Sequence, residues 1–136
     1  MLNKFLKPAR LPSSVDLGLL ILRVGISLLM LTHGYAKLES FLGGSRSFAD
    51  PIGIGEQTSF ILTIFAEFVC SILLILGLFS RAVLIPLIIT MLVVVLIVHG
   101  PDPLAKKEQA ISFLIVYITV LLTGPGRYSV DSKIYR

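Results

Sequence analysis

Five ionisable side chains lie inside or at the ends of apolar stretches, where a charge is costly to keep. Arg23 and Glu67 lie within such stretches, whereas His33, His99 and Glu108 lie at their ends. A charged side chain at the centre of a bilayer costs about 2.5–3.5 kcal/mol on insertion scales, so those that are kept generally face a protein interior. There, such groups form ion pairs, bind polar ligands or exchange protons.

The composition is that of a membrane protein. Hydrophobic residues make up 55% of the chain and charged residues only 15%, against about 25% charged in soluble domains. Four apolar stretches approach the roughly 20 residues that span a bilayer, at positions 15–31, 61–79, 82–98 and 104–123. They leave no room for a soluble domain. We expect lipid and no nucleic acid as the partner, because nearly all Lys and Arg flank these stretches.

These stretches predict an all-α integral membrane protein, folded as a four-helix antiparallel bundle. We predict one domain, 1–136, with helices at about 14–33, 58–79, 81–99 and 103–123. The segment 35–57 is predicted to be an outer loop, either a lid or a short interfacial helix, because it is long and rich in Gly. With the N-terminus inside, seven Lys and Arg lie on the inner side and four on the outer. This excess favours two cytoplasmic termini.

The outer ends of three helices carry a candidate ligand site. A rise of about 1.5 Å per residue places His33, His99 and Glu108 at one level, with Lys37 nearby. We hypothesise that these four residues bind a ligand; the simpler alternative is hydrogen bonding at a wet interface. Two histidines and a glutamate also match a zinc ligand set. No metal site is predicted, because the residues lack a local spacing signature.

A buried ion pair is predicted between Arg23 and Glu67. Counted from the inner helix ends, Arg23 lies about 10 Å deep and Glu67 about 18 Å, a gap that an extended arginine side chain nearly closes. Glu67 also lies in a polar stripe with a four-residue repeat, which should face other helices. We favour an ordering role for the pair over catalysis. The catalytic residues, if any exist, are unknown from the sequence.

Motifs spread along nearly the whole chain resemble those of the DoxX family. They are Leu22-Arg23-Val24-Gly25, Thr32-His33-Gly34-Tyr35-Ala36-Lys37-Leu38, Ala66-Glu67-Phe68, Leu76-Gly77-Leu78-Phe79-Ser80-Arg81, Val98-His99, Lys107-Glu108-Gln109-Ala110 and Gly124-Pro125-Gly126-Arg127-Tyr128-Ser129-Val130-Asp131. The resemblance implies a bacterial inner-membrane protein of four helices. It also implies a link to quinone or thiol redox chemistry, since the family includes DoxD-type subunits associated with thiosulfate:quinone oxidoreductase.

Two functional classes remain open. The first is a quinone-interacting component of an oxidoreductase system, in which imidazole, carboxylate and lysine groups bind the quinone carbonyls. The second is non-catalytic: a membrane anchor or assembly subunit, or a small proton or solute conduit. The sequence contains no ligand set for haem, flavin or an iron–sulfur cluster, and its single cysteine is Cys70. A redox-enzyme partner subunit and a homo-oligomer are compatible with both classes.

We predict that both termini face the cytoplasm and that the 35–57 segment faces the outside. Single cysteines near either terminus, introduced with Cys70 replaced by Ala, should be labelled from the cytoplasmic side only. A cysteine in the 35–57 segment should be labelled from the outside. The measurement is maleimide labelling of intact and permeabilised cells. Labelling of the C-terminus in intact cells would contradict the Lys and Arg count.

Overall fold

The structure is a computed structural model that describes residues 2–45 and 47–135. All regular elements in these ranges are helices, which confirms the all-α prediction. Met1, Arg46 and Arg136 lie outside the described residues, and the two arginines were part of the topology count. The helices are α1 (Leu2–Leu6), α2 (Ser13–Leu42), α3 (Glu56–Leu76), α4 (Ser80–Val98), α5 (Leu104–Thr123) and α6 (Val130–Ile134).

The first long helix extends well beyond the predicted end at residue 33. α2 has 30 residues and is therefore about 45 Å long, against about 30 Å of hydrocarbon. The prediction of an outer loop over 35–57 is wrong in its first third, because nothing breaks the helix before Gly43 and Gly44. Leu38 and Phe41 also continue the apolar periodicity. The connecting segment is correspondingly shorter, 43–55.

α3 and α4 form a hairpin closed by a tight turn. This turn lies at the end of the bundle beside both terminal segments of the chain, which we call the inner end; the opposite end is called the outer end. Gly77 follows the last residue of α3 with a φ of 70°, and Phe79 precedes the first residue of α4 with a φ of 52°. A left-handed conformation is natural for glycine but costly for phenylalanine, so other contacts must hold this turn. Each helix also contains a π-helical segment, Phe65–Cys70 in α3 and Val94–Val98 in α4. Such segments are rare and are often found at functional sites.

The four long helices pack around an apolar core. α2 packs along α3 and against α5, while α5 covers α4. Large buried side chains fill the centre, among them Met30, Leu74, Leu87 and Tyr117. Three helices, α2, α3 and α4, are long and apolar enough to cross a membrane. α5 is also 20 residues long, but its first turns carry Lys106, Lys107 and Glu108.

Arg23 anchors the C-terminal segment to the inner end of the bundle. The guanidinium is 1% exposed and donates to the carbonyls of Pro125 at 2.6 Å, Tyr128 at 2.7 Å and Ile75 at 3.3 Å. Ile75 lies in the last turn of α3, where the helix dipole favours a cation. The Asp131 carboxylate is close enough to interact with Arg23 electrostatically.

Two aspartates complete this inner clamp by accepting backbone N–H groups. Asp131 accepts from Phe79 at 2.7 Å and from Ser80 at 2.8 Å, so it caps the N-terminus of α4 from a distant part of the chain. Asp16 accepts from the N–H of Arg127 at 3.0 Å. The same bonds show that the start of α2, the α3–α4 turn and the C-terminal segment lie at one end of the bundle.

Loss of the Arg23 side chain should loosen the clamp. Arg23→Met is expected to lower the free energy of unfolding by about 2–4 kcal/mol, because hydrogen bonds to a charged group contribute about 1.5–3 kcal/mol each and only some are replaced by water. The matched control is Arg127→Met, since that side chain is exposed. Thermal unfolding in mild detergent measures both. Equal melting temperatures would show that the clamp contributes no stability.

Candidate functional site

Helices α2 and α3 touch backbone to backbone where Gly34 faces Glu67. A methyl group added at Gly34 would lie 2.5 Å from the carbonyl carbon of Glu67, well inside van der Waals contact. Only glycine permits this approach. Lys37 lies one turn further along α2, and its Nζ donates to Oε1 of Glu67 at 2.7 Å. The Gly34 contact thus brings the lysine to the carboxylate.

The predicted ion pair between Arg23 and Glu67 is not formed. Glu67 pairs with Lys37 instead, and Arg23 is held by carbonyls of the inner clamp. Since Glu67 is level with Gly34, eleven residues beyond Arg23, the two groups are separated by about 16 Å along α2. The estimate from helix ends failed because it assumed that all helices end at one level.

Three of the four predicted ligand residues line one cleft. His33, Lys37 and His99 contribute to a cleft of about 440 Å³ in the outer half of the bundle, together with Glu67. The Lys37 side chain is 30% exposed and that of Glu67 only 4%. The carboxylate therefore lies at the floor, with the ammonium group between it and the open space. Most of the remaining lining is apolar, including Met30, Ile89 and Phe113.

Glu108 does not belong to this cleft. It is exposed, and the neighbouring Gln109 lines the cleft in its place. The Gln109 amide nitrogen lies 3.4 Å from Nε2 of His33. The helical period explains this correction, because Gln109 and Phe113 are four residues apart on the side of α5 that borders the cleft. The same spacing could have identified Gln109 from the sequence.

The two histidines reach the cleft in different ways. His33 packs edge-on against the ring of Phe113, with 6.1 Å between ring centroids. His99 follows the π-helical segment of α4, and its Nδ1 lies 2.8 Å from Oδ2 of Asp102. This carboxylate fixes the ring, so that Nε2 is the nitrogen free to face a ligand.

The segment 47–55 covers the outer end of the cleft. Phe48 stacks on Phe60 with 4.5 Å between ring centroids. Asp50 accepts from the N–H of Ile54 and of Gly55, both at 2.9 Å, and from the Ser59 hydroxyl at 3.0 Å. We call this segment the lid. It presents apolar side chains to the cleft, among them Pro51 and Ile52.

The Asp50 carboxylate keeps the lid in place at neutral pH. Partial desolvation raises its pKa, but the hydrogen bonds from Gly55, Ser59 and Ile54 outweigh this effect, and the pKa lies below its usual value. A group with a lowered pKa stabilises the fold fully above its unfolded pKa, and the effect is lost as the pH falls through the folded value. The lid is therefore secured throughout the physiological range.

A second, more polar hollow lies on the other side of His33 and Lys37. Its volume is about 340 Å³, and its lining includes Ser40, Ser45 and Ser47. His33 and Lys37 line both spaces. These two side chains, together with Phe48, thus lie between the apolar cleft and the more polar hollow.

The family model named DoxX matches residues 18–100. This is more than half of the chain and contains Arg23, His33, Lys37, Glu67 and His99. The chain belongs to the DoxX family. No curated protein and no solved structure matches it. Family membership and the three apolar helices together identify a membrane protein.

The cleft of this DoxX protein offers hydrogen-bonding groups, and the described residues do not form a cluster of metal-ligating side chains. Within residues 2–45 and 47–135, no three His, Cys, Asp or Glu side chains converge as metal ligands. His33, His99 and Glu108 do not come together as a zinc set, because Glu108 faces outward. The cleft instead offers imidazole, amide and ammonium groups above a buried carboxylate.

Removing Lys37 should lower the stability of the protein more than removing the charge of Glu67. Lys37→Met leaves a buried carboxylate without its partner, whereas Glu67→Gln leaves a lysine that can turn towards water. Removing one partner of a buried pair costs about 3–5 kcal/mol, and partial exposure of Lys37 reduces this to about 1–3 kcal/mol. In detergent, the Lys37→Met variant should therefore have a lower melting temperature than the Glu67→Gln variant.

Lys106→Met is the matched control, because Lys106 is exposed. Adding Glu67→Gln to Lys37→Met should recover part of the lost stability, which is the signature of a direct interaction. Strictly additive effects would rule out a stabilising pair.

Proposed function

We propose that this DoxX protein is a quinone-interacting component of an oxidoreductase system in the bacterial inner membrane. In this proposal α5 also crosses the bilayer, so that four antiparallel helices span it with both termini in the cytoplasm. The observation that carries the proposal is the cleft: an apolar space with donors grouped at one end. Small-molecule sites typically have volumes of about 300–1,000 Å³ and a few convergent polar groups in an apolar wall.

A quinone fits the distribution of polar and apolar groups in the cleft. Its carbonyl oxygens accept hydrogen bonds, and Lys37, His33 and His99 can each donate one from a different side. Its ring and isoprenoid tail need an apolar wall, which Met30, Phe113 and the α4 side chains provide. When bound, a quinone supplies the chemistry of a carrier of electrons and protons.

The residues of the chain would hold the quinone head and handle its protons. Lys37 can turn from Glu67 to a carbonyl oxygen without leaving the cleft, and Glu67 would then retain a nearby positive charge. Imidazole exchanges protons near neutral pH, and His33 lies between the cleft and the polar hollow. Protons thus have a short route from the outer hollow to the ligand. Electrons would come from a partner subunit.

A non-catalytic role remains the alternative, as an anchor, an assembly subunit or a conduit. The conduit is favoured by one observation: the buried hydroxyls of Ser27, Ser71 and Tyr117 have no hydrogen-bond partner within the described ranges. Along the axis of the bundle, these hydroxyls lie at levels between Glu67 and Arg23. However, the carbonyl-bound Arg23 and the C-terminal segment close the inner end, which argues against continuous passage.

Quinone binding should depend on the cleft residues and not on Glu108. His33→Ala and Lys37→Met are expected to weaken binding about tenfold each, which corresponds to about 1.4 kcal/mol, the size of one lost hydrogen bond. Glu108→Ala should bind as the wild type does. Calorimetric titration of a short-tailed quinone into detergent-purified protein measures these affinities. No saturable binding to the wild type would favour the anchor or conduit.

A further inference from the structure

The hairpin of α3 and α4 is open along its outer half. α4 packs mainly against residues 65–76 of α3, whereas the outer part of α3, Glu56–Ile64, packs against α2. On its other side α4 is covered by α5. The two helices therefore meet at the Gly77 turn and separate towards the outer face. The cleft occupies this separation, since residues of both outer halves line it.

The side chains at this opening are part of the exposed apolar surface around the circumference of the bundle. Leu62 of α3 is 51% exposed and Ile89 of α4 is 55% exposed, and both line the cleft. Their neighbours Phe65 and Leu92 are also exposed. A surface of this composition on a spanning helix faces hydrocarbon.

The walls behind Leu62 and Ile89 are apolar as well. The hydroxyls of Thr63 and Thr90 donate to carbonyls of their own helices, those of Ser59 and Pro86, each at 2.8 Å. Their polarity is thus satisfied within α3 and α4, and an alkyl chain can lie between them at no cost in lost hydrogen bonds.

The outer end of the cleft, in contrast, is covered by the lid. The lid closes the outer end of the cleft with apolar side chains and is held by Asp50 and the Phe48–Phe60 stack. The polar hollow borders the cleft at His33, Lys37 and Phe48. A water-soluble ligand would have to displace the lid, whereas a ligand dissolved in the bilayer meets an opening that already exists.

We propose that the cleft is filled sideways from the outer leaflet, through a portal between Leu62 and Ile89. The ligand class is a bilayer-dissolved molecule with a polar head and an alkyl or isoprenoid tail. The head reaches Lys37 and the histidines, and the tail stays in the portal and the lipid. This assignment rests on the proposed quinone-binding function and specifies how the quinone enters and lies.

The first experiment uses the absence of tryptophan from the sequence. Leu62→Trp places a single fluorophore at the portal, and Ile21→Trp places one on the exposed face of α2. In nanodiscs made with lipids brominated along the acyl chain, both should be quenched to a similar extent, and aqueous iodide should quench neither. Leu62→Trp fluorescence that resists brominated lipid would overturn the lateral opening.

The second experiment blocks the portal. The double variant Leu62→Trp/Ile89→Trp should weaken binding of an isoprenoid-tailed quinone about tenfold more than it weakens binding of the same ring without a tail. The matched control, Ile21→Trp/Leu29→Trp, alters two exposed α2 residues outside the cleft. It should change neither affinity.

The outcomes separate the portal from the function on which it rests. Equal affinities of wild type and portal variant for the tailed quinone would overturn the portal and leave quinone binding standing. Equal weakening of the tailed and tailless quinones would also overturn it, because the substitutions would then disturb the head site. Failure of both quinones to bind the wild type would overturn the proposed function and, with it, the quinone as occupant.

Discussion

Arg23 carries a full positive charge that an apolar helical assembly cannot leave unpaired, and the fold of the inner end follows from this requirement. Three backbone carbonyls, from the last turn of α3 and from the C-terminal segment, surround the guanidinium. The C-terminal segment must therefore fold back across the bundle. In that position Asp131 reaches the start of α4 and holds the left-handed conformation of Phe79. One buried charge thus positions a turn, a helix cap and the end of the chain.

The outer half is organised by a different contact, the close approach of α2 to α3 at Gly34. Below this point the helices stay together, and the core is continuous. Above it, Lys37 and the π-helical segment of α4 accompany a widening of the bundle. The polar groups gather where the packing ends, so that the Lys37–Glu67 pair lines the cleft and not the continuous core.

The sequence predicted the membrane class and the long helices because hydrophobicity and helix length are properties of single segments. It did not predict the partner of Glu67, because that partner depends on the relative heights of α2 and α3, and Gly34 sets those heights through backbone contact. The partners of Arg23 were also inaccessible: carbonyl groups occur at every residue and leave no signature in the sequence. Gln109 could have been found, since the helical period already separates it from Glu108.

In the α3–α4 hairpin, the angle between the two helices is set at the Gly77 turn, so a small change of angle there is magnified at the far end of α4. α4 is 19 residues long, or about 28 Å, so a rotation of about 5° about the turn moves the far end of the helix by about 2.5 Å. That displacement approaches the width of a methyl group. The angle is set on one side of the membrane by Asp131 and its neighbours, and its effect is largest on the other side. A small change in this angle would therefore change the width of the cleft most at the end of α4 far from the turn.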